Sequence, residues 1–200
     1  MSLLVESIKV KDGRIYNNKY HSARFNRTRK ELFGIGLPVD LSNKVIVPAY
    51  AGKGLFKCRI EYDRHIRSIE FIPYQFKQVK TLRMVEAGDL DYSYKYIDRG
   101  GLNYLFEKRF GCDDILIVKK QRITDSSFAN IIFRGEDDII YTPASYLLPG
   151  TKRSYLLDEG IINEDEVTPA SIRRFKQFKL INSMMDIGDT EWVDIGNICF

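Results

Sequence analysis

Imidazole and thiol groups are scarce in this chain, with two histidines and three cysteines in 200 residues. Cys58, Cys112 and Cys199 are odd in number and far apart, which argues against a disulfide framework and against a thiolate zinc site. With only His21 and His65 to add imidazole, no resident metal is expected. No apolar run approaches the roughly eighteen residues a membrane span needs. The opening Met1-Ser2-Leu3-Leu4-Val5-Glu6 lacks a basic segment and reaches a glutamate early, unlike a secretory leader. The expected setting is a soluble, cytoplasmic protein without membrane partners. An excess of one charge is missing too: 31 basic and 27 acidic residues leave a net +4 with the signs interleaved. That pattern describes a solvated surface rather than a stripe tracking a phosphate backbone. Internal repeats and low-complexity tracts are also absent.

What is present has an ordinary globular balance and length enough for one large domain or two small ones. Residues 3 to 10 are rich in apolar and β-branched types, and Asp12-Gly13 predicts a hairpin into Arg14-Ile15-Tyr16. A helix is expected from Tyr20 to Phe33, stopped by Gly34 and Gly36. Tyr20, Arg24, Thr28 and Leu32 lie along one row, His21 shares their face, and Arg27, Arg29 and Lys30 point elsewhere. Alternation at Phe56, Cys58, Ile60 and Tyr62 predicts a half-buried strand, and Asp63-Arg64-His65 turns it back through Ile69 and Phe71. His65 reads as an exposed loop residue. An extended run through Val79 to Val85 precedes the expected boundary, which gives an N-terminal α+β domain over 1–87 and a β-rich domain over 92–200.

In the second half, Leu102, Leu105, Phe106 and Arg109 have helical spacing. Ile115–Val118 and a run from Ile123 through Phe133 read as strands about a polar turn, and Asp137-Asp138 turns the chain into Ile139-Ile140-Tyr141. Leu148-Pro149-Gly150-Thr151-Lys152-Arg153 enters a helix ending at Gly160. Thr168-Pro169 has the cap and first-turn proline of another helix start.

Three groups bear on chemistry. Lys95 sits in Tyr92-Ser93-Tyr94-Lys95-Tyr96, where aromatic neighbours would strip water from the ammonium and favour the neutral, nucleophilic amine. The alternative is a surface lysine whose stem lies on tyrosine rings. Asp125 interrupts an apolar strand pair. Burying it is costly unless neighbouring hydroxyls (Thr124, Ser126, Ser127) or a cationic partner satisfy it. Gly150-Thr151-Lys152 offers amides, a hydroxyl and an ammonium at a helix start, where an anion is favoured. Arg24 is either a buried anion ligand or one of several cations on a wet helix. A lysine, a buried carboxylate and an anion cradle together are what pyridoxal phosphate asks of a protein.

Over nearly its whole length the sequence resembles the class IV aminotransferases, the fold-type IV pyridoxal-phosphate enzymes. Val5-Glu6-Ser7-Ile8 with Asp12-Gly13 is similar to the family's opening hairpin. His21-Ser22-Ala23-Arg24-Phe25 is similar to its histidine–arginine motif, which implies that Arg24 contacts the cofactor phosphate. Lys95 with Arg99 matches the Schiff-base lysine segment. Ile123 to Ile131 resembles the segment whose carboxylate meets the pyridine nitrogen, here Asp125 in place of the usual glutamate. Thr142-Pro143 with Leu148 to Arg153 resembles the phosphate-binding loop and helix start, with Thr151-Lys152 replacing an isoleucine–threonine pair.

The run Leu180-Ile181-Asn182-Ser183-Met184-Met185-Asp186-Ile187 resembles the 4-amino-4-deoxychorismate lyase branch, with Ser183 as a late phosphate contact. The resemblance implies a two-domain fold-type IV enzyme, a homodimer, a Lys95 aldimine and a small amino substrate. In the lyase reaction that substrate yields 4-aminobenzoate, a folate precursor, and pyruvate. Amino transfer from branched-chain or D-amino acids is the alternative. A degenerate member that binds cofactor without turnover, and a nucleic-acid-binding platform of tyrosines and cations, are further alternatives.

Overall fold

A tight two-residue turn organises the beginning of the chain. In the computed structural model, which describes residues 3–200, β1 (Leu4–Lys11) reverses into β2 (Arg14–Ile15) through Asp12 and Gly13, both at positive φ (49° and 75°). Two left-handed residues match the twist of the flanking strands, and glycine adopts that conformation without a Cβ penalty. β3 (Leu55–Tyr62) and β4 (Ile66–Pro73) complete an antiparallel sheet in the order β2-β1-β3-β4. The helix α1 (Asn18–Phe33) packs its Phe25 with Leu4, Ile8, Cys58, Ile60 and Tyr62 in the core of this unit. It stops at Gly34, whose left-handed backbone (φ 70°) lets its N–H close back on Arg29 and Lys30 carbonyls.

The face that α1 buries is more polar than its row spacing predicts. His21, Arg24, Phe25, Thr28 and Arg29 are buried, whereas Leu32 is 37% exposed. Arg29, expected on the outer face, lies 5.1 Å over the Phe25 ring. It donates to the Leu37 and Arg64 carbonyls at 3.2 and 3.1 Å. A guanidinium whose donors meet carbonyls can be buried along its stem, which is why this position takes a cation.

The chain divides into two compact units. The first comprises residues up to Gln75 with Tyr94–Asp98, and the second comprises Phe76–Ser93 with Arg99–Phe200. The domains expected at 1–87 and 92–200 differ from these units at Phe76–Ala87, which is part of the second, and at Tyr94–Asp98, which is part of the first. Leu4 bridges to Tyr96, and Val5 N–H donates to the Lys95 carbonyl at 2.9 Å.

The second unit is built on one sheet. β5 (Leu82–Glu86), β6 (Asp114–Lys119), β7 (Arg122–Ser126), β8 (Asn130–Gly135), β9 (Ile140–Pro143) and β10 (Asn163–Asp165) lie side by side, with β13 (Ile198–Cys199) beyond β5. β11 (Phe175–Ile181) pairs with β8 and carries β12 (Val193–Asp194). α2 (Gly100–Phe106) joins the parallel pair β5 and β6, and α3 (Thr151–Asp158) joins the parallel pair β9 and β10. Leu116, Ile123, Ile131, Phe133 and Phe178 form the centre of its core, where Phe133 stacks on Phe175 at 4.9 Å.

Two elements differ from the sequence reading. The single strand expected from Ile123 to Phe133 is a hairpin: Ser126 Oγ accepts the Ala129 N–H at 3.1 Å, and Ser126 N–H donates to the Ala129 carbonyl at 2.8 Å. That serine closes a turn in an otherwise continuous apolar run. The helix expected after Thr168-Pro169 is one short 3-10 turn, Ile172–Arg174, because β11 begins at Phe175. Thr168 and Ser171 still cap each other, backbone N–H to hydroxyl, at 2.9 and 3.1 Å. Among the described residues no helix is long and apolar enough to cross a membrane, and no group of three or more potential metal ligands converges.

Candidate active site

Strand alternation would send Glu6 to one face of β1, but with α1 on that face the carboxylate is enclosed. Glu6 and His21 are wholly buried and Arg24 nearly so. The Arg24 guanidinium forks onto Glu6, Nε to Oε1 at 2.8 Å and Nη2 to Oε2 at 2.6 Å. His21 Nδ1 lies 2.6 Å from Oε2. Burial opposes ionisation of Glu6, yet the Arg24 charge and fork, with His21, more than reverse it and hold the carboxyl at about 2. Burial also pushes His21 below its usual range, against the pull of Glu6, and the Arg24 and Lys95 charges add to the effect. Lys95 therefore belongs to the same electrostatic neighbourhood as the Glu6–His21–Arg24 cluster. Its neighbours Tyr94 and Tyr96 pack on the core of this unit with ring centroids 6.0 Å apart, and Lys95 itself is half-buried.

In the second unit Asp125 lies on β7 directly across from Asn130 on β8. Both are buried. Asp125 Oδ1 accepts from Asn130 Nδ2 at 2.7 Å, and Oδ2 accepts the backbone N–H groups of Leu147 and Leu148 at 2.8 and 2.9 Å. Burial pushes the carboxyl up to about 6, while these donors and the more distant Arg153 charge restrain the rise. The adjacent hydroxyls do not serve it. Thr124 Oγ1 donates to the Ile117 carbonyl at 2.9 Å, and Ser126 Oγ holds the turn. Asparagine and loop amides satisfy this carboxylate, in place of the hydroxyls that are one of the two alternatives the sequence offers.

The same loop leads into α3. Asn130 Nδ2 also donates to the Leu148 carbonyl at 3.2 Å. A Cβ on Gly150 would lie 1.7 Å from Asn130 Oδ1, so only glycine fits there. Thr151, Lys152 and Arg153 are all buried in the first turn of α3. Lys152 Nζ pairs with Asp186 Oδ1, and Arg153 Nη2 bonds the Pro143 carbonyl at 2.9 Å and Glu164 at 2.6 Å. Asp186 directly follows the turn that begins at Asn182, whose carbonyl accepts the Met185 N–H at 3.1 Å and whose Oδ1 accepts the Met184 N–H at 2.9 Å. Ser183 is half-buried in that turn.

Within the second unit the fold thus gathers Asp125, Gly150, Thr151 and Lys152 around one loop and ties Asp186, the residue after the Asn182–Met185 turn, to Lys152. Lys95 and Arg24 are gathered in the first. The model of the amino-transferase class IV family matches residues 61–189. The chain belongs to that family. An uncharacterized protein of Haemophilus influenzae Rd is 36% identical over 183 residues, spanning 90% of this chain and 97% of its own length. A crystal structure from Haemophilus somnus 129PT, described as a candidate 4-amino-4-deoxychorismate lyase, is 31% identical with a TM-score of 0.86, covering 92% of this chain and 97% of its own. The PLP-bound form of a hypothetical aminotransferase from Mycobacterium tuberculosis shares the fold at 15% identity, with a TM-score of 0.74 over 92% of this chain and 78% of its own.

This member of the amino-transferase class IV family is a fold-type IV enzyme of the lyase or aminotransferase kind, and its cofactor is pyridoxal phosphate. Sequence reasoning overlooked three residues of the gathered set. In the sequence Glu6 stands out only as part of a hairpin, Asn130 only within a motif, and Asp186 only within a run. The signal for Glu6 was a carboxylate inside an apolar alternation, the same one that drew attention to Asp125.

Proposed function

We propose that this class IV enzyme is a 4-amino-4-deoxychorismate lyase, releasing pyruvate and forming 4-aminobenzoate. The observation that carries this reading is the pairing of Asp186, within the Leu180–Ile187 run, with Lys152, because that run is where the sequence resembles the lyase branch. The relative described as a candidate lyase supports it across nearly its full length.

The residues fit the cofactor on two counts. A buried carboxylate held at about 6 suits a ring nitrogen, and α3 starts at Gly150 with no side-chain cap on its first amides, where an anion is favoured. In this proposal Lys95 provides the amine that joins the cofactor aldehyde, Asp125 serves the ring nitrogen, and Gly150, Thr151 and Lys152 with Ser183 receive the phosphate. The family resemblance gives Arg24, whose guanidinium Glu6 orients, a contact to the same phosphate. When bound, pyridoxal phosphate supplies an electron-withdrawing ring that accepts the electron pair released at the amine-bearing carbon.

Once the substrate's amine has taken its place on the aldehyde, the freed Lys95 amine would remove the proton from that carbon and return one to the departing enolpyruvyl group, so the substrate ring becomes aromatic and pyruvate leaves without any outside oxidant. Asp125, ionised at and above neutral pH, keeps a positive charge favourable at the ring nitrogen. A homodimer in the cytoplasm is proposed with this reading. Amino transfer uses the same core groups and is the second reading, which the family supports.

The test is twofold. Borohydride reduction of the purified yellow protein followed by peptide mass mapping should place the added mass on Lys95. Assay should find 4-aminobenzoate and pyruvate in equal amounts. Label on another lysine removes the site assignment, and amino-group transfer to 2-oxoglutarate or pyruvate without 4-aminobenzoate removes the lyase reading.

A further inference from the structure

Asp125 and Asn130 face one another across the β7–β8 hairpin, and Asn130 reaches three things at once. Its Nδ2 donates to Asp125 Oδ1 at 2.7 Å and to the Leu148 carbonyl at 3.2 Å. Its Oδ1 occupies the space where a Cβ on Gly150 would sit. Asp125 Oδ2 grips the Leu147 and Leu148 amides from the other side. A short buried hydrogen bond to an ionised oxygen is among the stronger neutral-to-charged contacts. Asn130 is itself buried and lies opposite Ile181 on β11 as well, so its position is set by strands on both sides.

Aspartate is one methylene shorter than glutamate, and here its carboxylate is held within reach of the chain that enters α3. We propose that Asn130 is a positioning residue: it fixes the Asp125 carboxylate to the Leu148–Gly150 chain, so that the ring-nitrogen contact and the phosphate-binding helix start form one rigid piece. This rests on the reading of Asp125 given above. Asn130 does not touch the reacting atoms. It acts through Asp125, supplying a donor that favours the charged carboxylate against the burial that disfavours it.

The proposal is tested on the full chain with two variants that attack the contact from opposite sides. Asn130→Ala removes the donor, and Gly150→Ala drives Asn130 away with a methyl. The first readout is the Asp125 carboxyl titration in cofactor-free protein, followed by carbon-13 NMR of labelled aspartate and assigned with Asp125→Asn. A lost hydrogen bond to a charged group corresponds to a rise of about one to two pH units. The second readout compares the dissociation constant of pyridoxal phosphate with that of its 1-deaza analogue, which has no ring nitrogen.

Both variants should raise the Asp125 titration and weaken pyridoxal phosphate about tenfold more than the analogue. An unmoved titration in whichever variant folds overturns the proposal. So does equal weakening of both ligands, which would make Asn130 a brace for the loop and nothing more. Asp125→Asn separates this from the parent reading. If that variant weakens pyridoxal phosphate no more than the analogue, Asp125 does not serve the ring nitrogen, whatever the Asp125 titration in the Asn130 variant shows.

Discussion

Replacing Glu6 by glutamine tests the polar centre of the first unit. Glutamine keeps the volume but presents an amide where the Arg24 fork and His21 now converge on two carboxylate oxygens at 2.6 to 2.8 Å. Its NH2 faces donors, and the guanidinium, nearly buried, loses its counter-charge. Removing one partner of a buried ion pair costs about 3–5 kcal/mol. The lowered acidity gives a consistent figure: bringing the carboxyl from 4.5 to about 2 in the fold is worth about 3 kcal/mol.

The sign follows from the direction of the shift. The folded pKa is depressed, so this stability is fully present above about pH 4.5 and is lost as pH falls towards 2. Glu6→Gln should therefore lower the stability of the first unit by about 3 kcal/mol at pH 7 and flatten its acid loss. The assay is hydrogen exchange resolved by mass spectrometry on peptides from β1 and α1, with urea, at pH 7 and pH 3. The reasoning is refuted if the variant is within about 1 kcal/mol of wild type at pH 7, or if both proteins lose stability equally on acidification.

Asp125 should behave in the opposite sense. Its folded pKa is raised from 3.8 to about 6, so its contribution is full below about pH 3.8 and declines by about 3 kcal/mol as pH rises through 6. Asp125→Asn should remove that decline in cofactor-free protein, and in the holoenzyme it should abolish turnover while retaining cofactor; unchanged turnover counts against the counter-charge role. In the Lys152–Asp186 pair the ammonium is buried and the carboxylate 47% exposed. Asp186→Asn should thus destabilise by about 1–3 kcal/mol by stranding a charge, whereas Lys152→Met should be nearly neutral. Urea unfolding followed by the fluorescence of Trp192, the single tryptophan, compares them. Gly34→Ala should cost about 1 kcal/mol by thermal denaturation. Its Cβ would meet nothing within 4 Å, and the penalty is purely that of a left-handed backbone at φ 70°.

Local chemistry was legible in the sequence wherever the controlling groups are near neighbours. Asp12-Gly13 specifies a reversal because the turn needs two left-handed residues, and Gly34 ends α1 for the same reason. The short motifs around Lys95, Asp125 and Gly150 were enough to indicate the family, since each keeps its residue types within a few positions. Arg29 and Leu32 were misplaced because a helical row gives spacing but not which stripe faces the sheet. The Ser126 turn was missed because apolar residues continue through it and only one hydroxyl marks the reversal.

The tertiary structure alone decided which charges meet. Glu6 lies 18 residues from Arg24, and Asp125 lies 22 and 23 residues from the Leu147 and Leu148 amides that receive it. A buried carboxylate can be recognised from the apolar residues beside it, because burial is written in local patterning. Its partner cannot, because any donor the fold brings within about 3 Å will satisfy it, and only the packing of strands and loops selects that donor.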